Sequence, residues 1–300
     1  MKYPNFFIVG AARSGTTSLW WQLKRNPQIY MPEDVLNKEP AFFSDKNRKM
    51  ILESYLALFE KATKNHRLIG EASTAYLTDY KSAQRIKDYN PDAKIIILLR
   101  NPAERAYSLY NWMVQEGYEY AINFERALTL EERRSKKQIP NFWEPEYYWN
   151  YMYFRSGLYF QQVQRYLELF KQNVCIITFE RLKNDFKQTY NQICNFLNIE
   201  PNEIVDEPQN PSLRVYHQWI QFLVRKINNY SLMFKTKVFK KKILTKKERD
   251  YLLNLFLSKK PPPPLSPKLK ANLINRYRED ILKLNELIKN IDFYCWINNS

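Results

Sequence analysis

A chain of 300 residues is long enough for one large α/β domain or two small ones, and a hydrophobic content of 45% excludes a chain that is disordered throughout. The formal net charge of +16 indicates either an anionic partner or a strongly charged, solvated surface. The three cysteines and two histidines show no metal-ligand spacing, so we expect no metal.

The apolar runs of the chain predict neither a leader nor a membrane span. The first run begins at Phe6, which leaves no room for a signal peptide. The densest uncharged run, residues 95–99, is far shorter than the roughly 20 residues that a membrane helix needs. We therefore expect a soluble, cytoplasmic protein.

Short apolar runs alternate with helical patterns along the chain, which is typical of a mostly parallel sheet flanked by helices. The expected strands are residues 6–9, 67–70, 94–99 and 174–179. The expected helices are residues 17–25, 48–61, 81–89, 102–115, 160–170, 185–197 and 267–289. The sequence thus predicts one α/β domain over residues 1–300, built as a three-layer sandwich.

A glycine-containing turn joins the first strand to the first helix. Residues 10–19, GAARSGTTSL, have the glycine spacing of a phosphate-binding P-loop, but Thr16 stands where that loop has its lysine. The nearest cation is Arg13, inside the turn. In such a turn the backbone N–H groups and the positive end of the helix converge on one anion. The pattern predicts an anion site that differs from the usual ATP geometry.

The strand at residues 94–99 ends in Arg100, where a magnesium-dependent ATPase would place an acid. An arginine there repels a metal ion and attracts a phosphate. Ser108, on the second turn of the following helix, can donate a hydroxyl to the same phosphate. Ligands of α/β proteins bind at the carboxyl ends of parallel strands. We therefore expect Arg100 and Ser108 to bind a second anionic group.

Two further segments carry candidate polar groups. Lys38 and Glu39 set a carboxylate beside a cation after the first helix, as a positioned general base requires. Residues 70–77, GEASTAYL, end a strand in small hydroxyl residues. Such a rim can donate hydrogen bonds to a polar acceptor substrate.

Two segments interrupt the alternation of strands and helices. Residues 117–156 are expected to form an aromatic-rich cap, in which one or two rings line a pocket while most pack against each other. Residues 225–264 are basic and end in four prolines. They form either a solvated face or a lid over an anionic ligand, before the last helix.

Taken in order, these motifs resemble the sulfotransferase family that uses 3′-phosphoadenylyl sulfate (PAPS), notably its heparan-sulfate-type and bacterial members. Residues 12–17, ARSGTT, are similar to the 5′-phosphosulfate loop of the family, and residues 99–108, LRNPAERAYS, to its 3′-phosphate motif. Residues 38–43, KEPAFF, resemble the segment with the catalytic glutamate. Residues 156–159 and 179–182 also fit the family pattern.

The resemblance implies a P-loop NTPase-like fold and transfer of a sulfuryl group from PAPS, as co-substrate, to a hydroxyl or amine of a glycan or small-molecule acceptor. It implies catalytic roles for Glu39, Lys38 and Arg13. The residues implied in nucleotide binding are Ala12, Arg13, Ser14, Gly15, Thr16, Thr17, Ser18, Arg100 and Ser108. The later basic loop of the family has no clean counterpart here, and Arg214 is a candidate for it.

Two other functions remain open from the sequence. A nucleoside or small-molecule kinase would suit the glycine spacing, although the missing lysine and Arg100 argue against it. A nucleic-acid-binding protein would suit the net charge of +16 and the basic segment, but no recognised binding motif accompanies them. We therefore expect no nucleic-acid partner and no metal, and the sequence leaves the oligomeric state open.

Overall fold

The computed structural model describes residues 3–32, 38–44, 50–136, 149–205, 215, 223, 248, 251 and 260–298. The chain divides into two compact units. The first unit comprises Met1–Arg105, Leu158–Gln209 and Arg276–Asn299. The second unit comprises Ala106–Gly157, Asn210–Asn275 and Ser300. The predicted arrangement of a single domain with a cap and a lid stays a prediction.

The first unit contains a five-stranded sheet in the order β2-β3-β1-β4-β5. Its strands are β1 (Phe6–Gly10), β2 (Ile29–Tyr30), β3 (Leu68–Ala72), β4 (Lys94–Leu99) and β5 (Val174–Thr178). All neighbouring strands are parallel. The α/β class with a parallel sheet is therefore confirmed. Because the connection from β3 to β4 crosses the sheet, the carboxyl ends of β1 and β4 meet at the point where α/β proteins bind ligands.

The helices of the described chain lie between and after these strands. They are α1 (Thr16–Lys24), α2 (Leu52–Ala57), α3 (Ala75–Thr78), α4 (Ser82–Tyr89), α5 (Pro102–Gln115), α6 (Phe124–Ser135), α7 (Tyr159–Phe170), α8 (Phe179–Asn184), α9 (Phe186–Leu197), α10 (Pro267–Leu287) and α11 (Cys295–Asn298). Among them, none is both long and apolar enough to cross a membrane.

Helices cover both faces of the sheet in the first unit. On one face, side chains of α1 and α9 pack against alternate residues of the strands, among them Phe6, Ile8, Ile96 and Leu98. On the other face, α3 contacts β1, and α7 contacts β4 and β5. A sheet buried on both faces needs strands that are apolar throughout. This requirement explains the uninterrupted apolar runs of β1 and β4.

The predicted strands agree with the observed ones to within two residues. The strand β2 was not predicted, because a strand of two residues is too short to show a hydrophobic period in the sequence. The helix predicted over residues 48–61 was wrong in length: only Leu52–Ala57 is helical among its described residues. Ile51 before it is extended, and turns follow Ala57.

Four helices, α3, α6, α8 and α11, were not predicted. Phe179, expected at the end of a strand, is the first residue of α8 because the Thr178 side chain accepts the N–H of Arg181 and caps a helix there. Helix α6 is likewise capped, by the Asn123 side chain. In both cases the capping residue was present in the sequence, but the strongly charged residues after it masked the helical period.

The second unit is organised around a buried ion pair. The carboxylate of Glu119 is fully buried and accepts hydrogen bonds from two guanidinium nitrogens of Arg134, at 2.7 and 2.8 Å. The hydroxyl of Tyr153 also donates to it, at 2.6 Å. These bonds join Arg134 of α6 to Glu119 and Tyr153 within the described part of the predicted aromatic cap. Residues 137–148 of that cap, and most of the predicted lid, lie outside the described residues.

Candidate active site

The turn between β1 and α1 has the backbone of an anion-binding loop. Arg13 and Gly15 both have left-handed φ angles, 67° and 85°. Gly15 is the N-cap of α1 and provides no capping side chain, so the first N–H groups of the helix face the turn without a side-chain acceptor. A Cβ atom on Gly15 would lie 2.9 Å from Leu182 Cδ2 and 3.1 Å from Phe179 Cδ2. Only glycine fits this position beside α8.

A buried hydroxyl in the turn indicates whether the turn suits an anionic ligand. Ser14 is fully buried, and its Oγ has no hydrogen-bond partner in the part of the chain that the structure describes. A buried hydroxyl left unpaired destabilises the fold, so such groups are normally satisfied by a partner. Thr16 is also buried, whereas Thr17 is half-buried and Ser18 exposed. The turn thus offers a hydroxyl and a helix N-terminus to an anionic ligand.

Arg100 follows β4 and reaches the same turn. Its Nη1 donates a hydrogen bond to the backbone carbonyl of Arg13 at 3.2 Å. Its guanidinium lies over the ring of Phe179, 4.6 Å from the centroid. Burial lowers the pKa of Arg100, but an arginine remains protonated in proteins. Its Nε is buried without a partner among the described residues. A fixed positive charge therefore lies beside the loop.

The backbone of Arg100 is held from the first turn of α7. The Tyr159 hydroxyl donates to the Arg100 carbonyl at 2.9 Å. The Tyr159 N–H in turn donates to Asp280 Oδ2 at 2.7 Å. Burial raises the pKa of Tyr159 to about 12, so its hydroxyl remains a donor at neutral pH. The sequence placed Tyr159 in a family motif but gave it no role.

The segment that carries Glu39 lies against the end of β3. Lys38 Nζ is 3.0 Å from Glu39 Oε1, and Lys38 is buried whereas Glu39 is half-buried. The Thr74 hydroxyl donates to Glu39 Oε2 at 2.9 Å. The carbonyl oxygen of Thr74 would be 3.2 Å from a Cβ on Gly10, where β1 ends. Glu39 is therefore held through one residue that packs on the start of the anion-binding turn.

The hydroxyl rim expected at residues 70–77 was wrong as a binding surface for an acceptor. Ser73 is fully buried, and it donates to Glu71 and accepts from the N–H of Ala41. Thr74 directs its hydroxyl at Glu39. Both hydroxyls therefore donate their hydrogen bonds within the protein rather than to an acceptor substrate. The sequence pattern showed their small size but not the neighbours that occupy them.

The structure brings together most of the residues predicted for the site. Arg13 and Arg100 are in contact, and Glu39 is held beside the end of β1 through Thr74. Ser108 lies half-buried on α5, in the second unit. Arg214 lies outside the described residues. Within the described ranges, no group of three or more Asp, Glu, His or Cys side chains is placed to hold a metal ion.

A parallel sheet, a glycine turn after its central strand and an arginine at the adjacent strand end define an α/β protein with a P-loop-like fold. The family is more specific than that class. Residues 3–254 match the sulfotransferase domain family, and the chain belongs to this family. The predicted family and P-loop-like fold are thereby confirmed.

Individual relatives agree with this assignment. The chain is 38% identical over 114 residues to the membrane-associated sulfotransferase kil1 of Dictyostelium discoideum, an alignment that covers 37% of this chain and 23% of that protein. It is 26% identical over 200 residues to human heparan sulfate glucosamine 3-O-sulfotransferase 6, covering 66% of this chain and 53% of that one. The chain therefore spans only about a quarter to a half of the length of these relatives.

A solved structure resembles the chain over nearly its full length. The crystal structure of a sulfotransferase from Alicyclobacillus acidocaldarius has a TM-score of 0.71 and 29% sequence identity, with 99% of each chain covered. The similarity thus extends over both units and supports the same family.

Proposed function

We propose that the protein transfers a sulfuryl group from PAPS to a hydroxyl, or an amine, of a saccharide or small-molecule acceptor. The observation that carries the proposal is the contact between Arg100 and the loop of Arg13, at the carboxyl ends of adjacent parallel strands. It sets two cationic residues at one site, at the turn that also contains Ser14, whose Oγ has no hydrogen-bond partner among the described residues. Membership of the sulfotransferase domain family supports the same activity.

This arrangement explains how the protein would recognise PAPS, the sulfuryl donor. The N–H groups of the loop, with the residues from Ala12 to Ser18, bind the 5′-phosphosulfate at the positive end of α1. Arg100, held over the ring of Phe179, binds the 3′-phosphate that ATP lacks. Ser108 is assigned to the same phosphate from its motif alone. Two anionic groups thus distinguish PAPS from ordinary nucleotides.

Glu39 is the proposed general base. As the acceptor oxygen forms its bond to sulfur, the bond from sulfur to the bridging phosphate oxygen breaks, and the acceptor proton passes to the Glu39 carboxylate. The bridging oxygen keeps the electron pair and leaves with 3′,5′-ADP. Lys38 and Arg13 stabilise the charge that develops on the transferring group. Fixed donors of this kind each contribute roughly 10²- to 10³-fold in rate.

The two alternative functions lack support of this kind. A kinase would need a lysine in place of Thr16, and an acid in place of Arg100 at the end of β4. A nucleic-acid-binding protein is favoured by the net charge of +16 and by the basic segment, which a sulfated or otherwise anionic saccharide acceptor would equally match. We therefore propose an acceptor of the saccharide or small-molecule class. We also propose a cytoplasmic location.

Calorimetric titration and a transfer assay test the proposal together. We expect tight binding of 3′,5′-ADP without Mg²⁺, and weak binding of ATP with or without it. We also expect transfer of ³⁵S-sulfate from labelled PAPS to a pool of oligosaccharides and hydroxylated small molecules, with the product identified by mass. Binding of ATP that requires Mg²⁺, together with no labelled product, would contradict sulfuryl transfer.

A further inference from the structure

Glu71 is a buried carboxyl that takes no part in the proposed proton transfer. It lies in β3 and is fully buried, so it cannot touch an acceptor. The Tyr55 hydroxyl donates to its Oε2, and the Ser73 hydroxyl to its Oε1, each at 2.5 Å. The Tyr76 hydroxyl also lies near this carboxyl and lowers its pKa. Three hydroxyls therefore converge on one buried acid.

Two of these hydroxyls also hold the segment that carries the proposed base, which we call the base loop (residues 38–44). The N–H of Ala41 donates to Ser73 Oγ at 2.9 Å. The N–H of Phe43 donates to the Tyr76 hydroxyl oxygen at 3.3 Å. Ser73 thus accepts a hydrogen bond from the base loop and donates one to the buried carboxyl. The carboxyl is therefore linked to the loop by hydrogen bonds through Ser73, and Tyr76 lies near the carboxyl while it accepts the N–H of Phe43.

The base loop depends on these hydrogen bonds because its backbone is strained. Ala41 has φ 51°, a left-handed conformation that is unfavourable for a residue with a Cβ. Such a conformation persists only where the surroundings determine it. Here the Ala41 carbonyl accepts the N–H and the hydroxyl of Ser44, at 3.1 and 2.8 Å, while its N–H is held by Ser73. Ala41 lies two residues after Glu39, so its orientation sets the direction of the Glu39 backbone.

Charged and titratable groups face the carboxyl from every element packed on it. They are Tyr55 on α2, Tyr76 on α3, Tyr89 on α4, Tyr166 on α7, and Glu39 on the base loop, which is itself paired with Lys38. Burial raises the pKa of Glu71 to about 7, and the negative charge of Glu39 acts in the same direction. The carboxyl therefore changes charge near neutral pH.

We infer that Glu71 is a positioning residue for the proposed proton transfer, an inference that rests on the function proposed above. Its carboxylate orients the hydroxyls of Ser73 and Tyr76, and these fix the two amides that hold Glu39 in place. A protonated carboxyl accepts from fewer donors than a carboxylate, so protonation of Glu71 weakens these hydrogen bonds and loosens the base loop. Glu71 acts on the reaction only through these neighbours.

The near-isosteric variant Glu71→Gln tests the inference on the whole protein. We expect kcat to fall by at least about 10-fold, with KM for PAPS and the Kd of 3′,5′-ADP within about twofold of the wild type. The wild-type kcat should also rise as the pH passes through about 7, and this step should be absent from the variant. An unchanged kcat and an unchanged pH profile would overturn the inference.

A matched pair of tyrosine variants separates positioning from a general loss of stability. Tyr76→Phe removes the acceptor of the Phe43 N–H, whereas Tyr190→Phe removes an equally buried hydroxyl that bonds to Asn202, on the opposite face of the sheet. We expect only Tyr76→Phe to lower kcat. An equal loss of kcat in both variants would show a merely structural effect and overturn the inference.

Amide hydrogen exchange of the base loop distinguishes this inference from the proposed function. Exchange at residues 38–44 should be faster in Glu71→Gln and Tyr76→Phe than in the wild type and in Tyr190→Phe. If the wild type transfers no sulfuryl group, the proposed function fails, and faster exchange still supports the positioning role. Unchanged exchange overturns it. If Glu71→Gln does not fold, Ser73→Ala removes the hydrogen bonds that link Glu71 to Ala41. The same results for kcat and for hydrogen exchange of the base loop are then expected from this variant.

Discussion

The guanidinium of Arg100 donates a hydrogen bond to the backbone carbonyl of Arg13 across 3.2 Å, although the two residues are 87 positions apart in the chain. They meet because β1 and β4 are adjacent parallel strands whose carboxyl ends lie at the same edge of the sheet. The contact joins the loop proposed to bind the 5′-phosphosulfate to the cation proposed to bind the 3′-phosphate. The two halves of the proposed donor site therefore support each other.

Arg100→Lys should weaken binding of 3′,5′-ADP by about 10- to 100-fold, because a lysine can neither bind a phosphate through two donors nor stack on Phe179. Binding of adenosine 5′-phosphosulfate, which has no 3′-phosphate, should change much less. Calorimetric titration of both ligands checks this. Arg67→Lys, at an exposed site in the same unit, serves as the control. Equal losses for both ligands would remove Arg100 from 3′-phosphate recognition.

Glu39→Gln should lower kcat by roughly 10²- to 10⁴-fold, the contribution of a positioned general base. The affinity for 3′,5′-ADP should stay within about twofold, because the substitution leaves the nucleotide loop intact. Fixed-time assays with labelled PAPS measure kcat, and calorimetric titration measures the affinity for 3′,5′-ADP. The control is Glu60→Gln, an exposed glutamate of the same unit. Full turnover in the Glu39 variant would exclude it as the base.

Gly15→Ala should lower both the stability and the nucleotide affinity of the protein. The left-handed φ of 85° alone costs a residue with a Cβ about 1–2 kcal/mol, and the added methyl would press on Leu182 at 2.9 Å. Urea unfolding and titration with 3′,5′-ADP measure the two effects. Gly117→Ala, at another left-handed glycine with φ 71°, should lower stability alone. Retained affinity in Gly15→Ala would show that the anion does not bind at this turn.

The stability of the protein should fall as the pH rises from about 4.5 to about 7 on account of Glu71. Burial raises its pKa in the folded state, so between these values the folded state binds more protons than the unfolded state, and the free energy of unfolding decreases with pH. A shift of this size corresponds to at most about 3 kcal/mol. Urea unfolding at pH 5 and pH 8 should show a larger difference for the wild type than for Glu71→Gln. An equal difference in both proteins would be inconsistent with the raised pKa.

Local pattern was sufficient for much of the fold and for part of the site. The apolar runs of β1 and β4 are strong signals because both faces of these strands are buried. The turn at residues 10–19 is recognisable because left-handed backbone at its end requires Gly15. By contrast, α6 and α8 depend on the capping residues Asn123 and Thr178, and their charged sequences hide the period.

Apart from the contact with the adjacent Lys38, the support of Glu39 could not be predicted, because its other contacts join distant parts of the chain. Thr74 binds Glu39 across 35 positions, and Ser73 binds Ala41 across 32. The sequence showed residues 70–77 as a hydroxyl rim open to a substrate. Packing of β3 against the base loop instead buries Ser73 and occupies both hydroxyls. A hydroxyl has the same signature in sequence whether it faces solvent or a neighbouring carboxyl.

The sequence by itself determined the alternation of strands and helices, the glycine turn after β1 and the motifs of the sulfotransferase domain family, because each depends on a few consecutive residues. Only the tertiary structure decided that Arg100 contacts the loop of Arg13 and that Glu71 is linked to the base loop through Ser73. The physical reason is that strand order and burial, which no local pattern encodes, determine which side chains meet and which polar groups are removed from water.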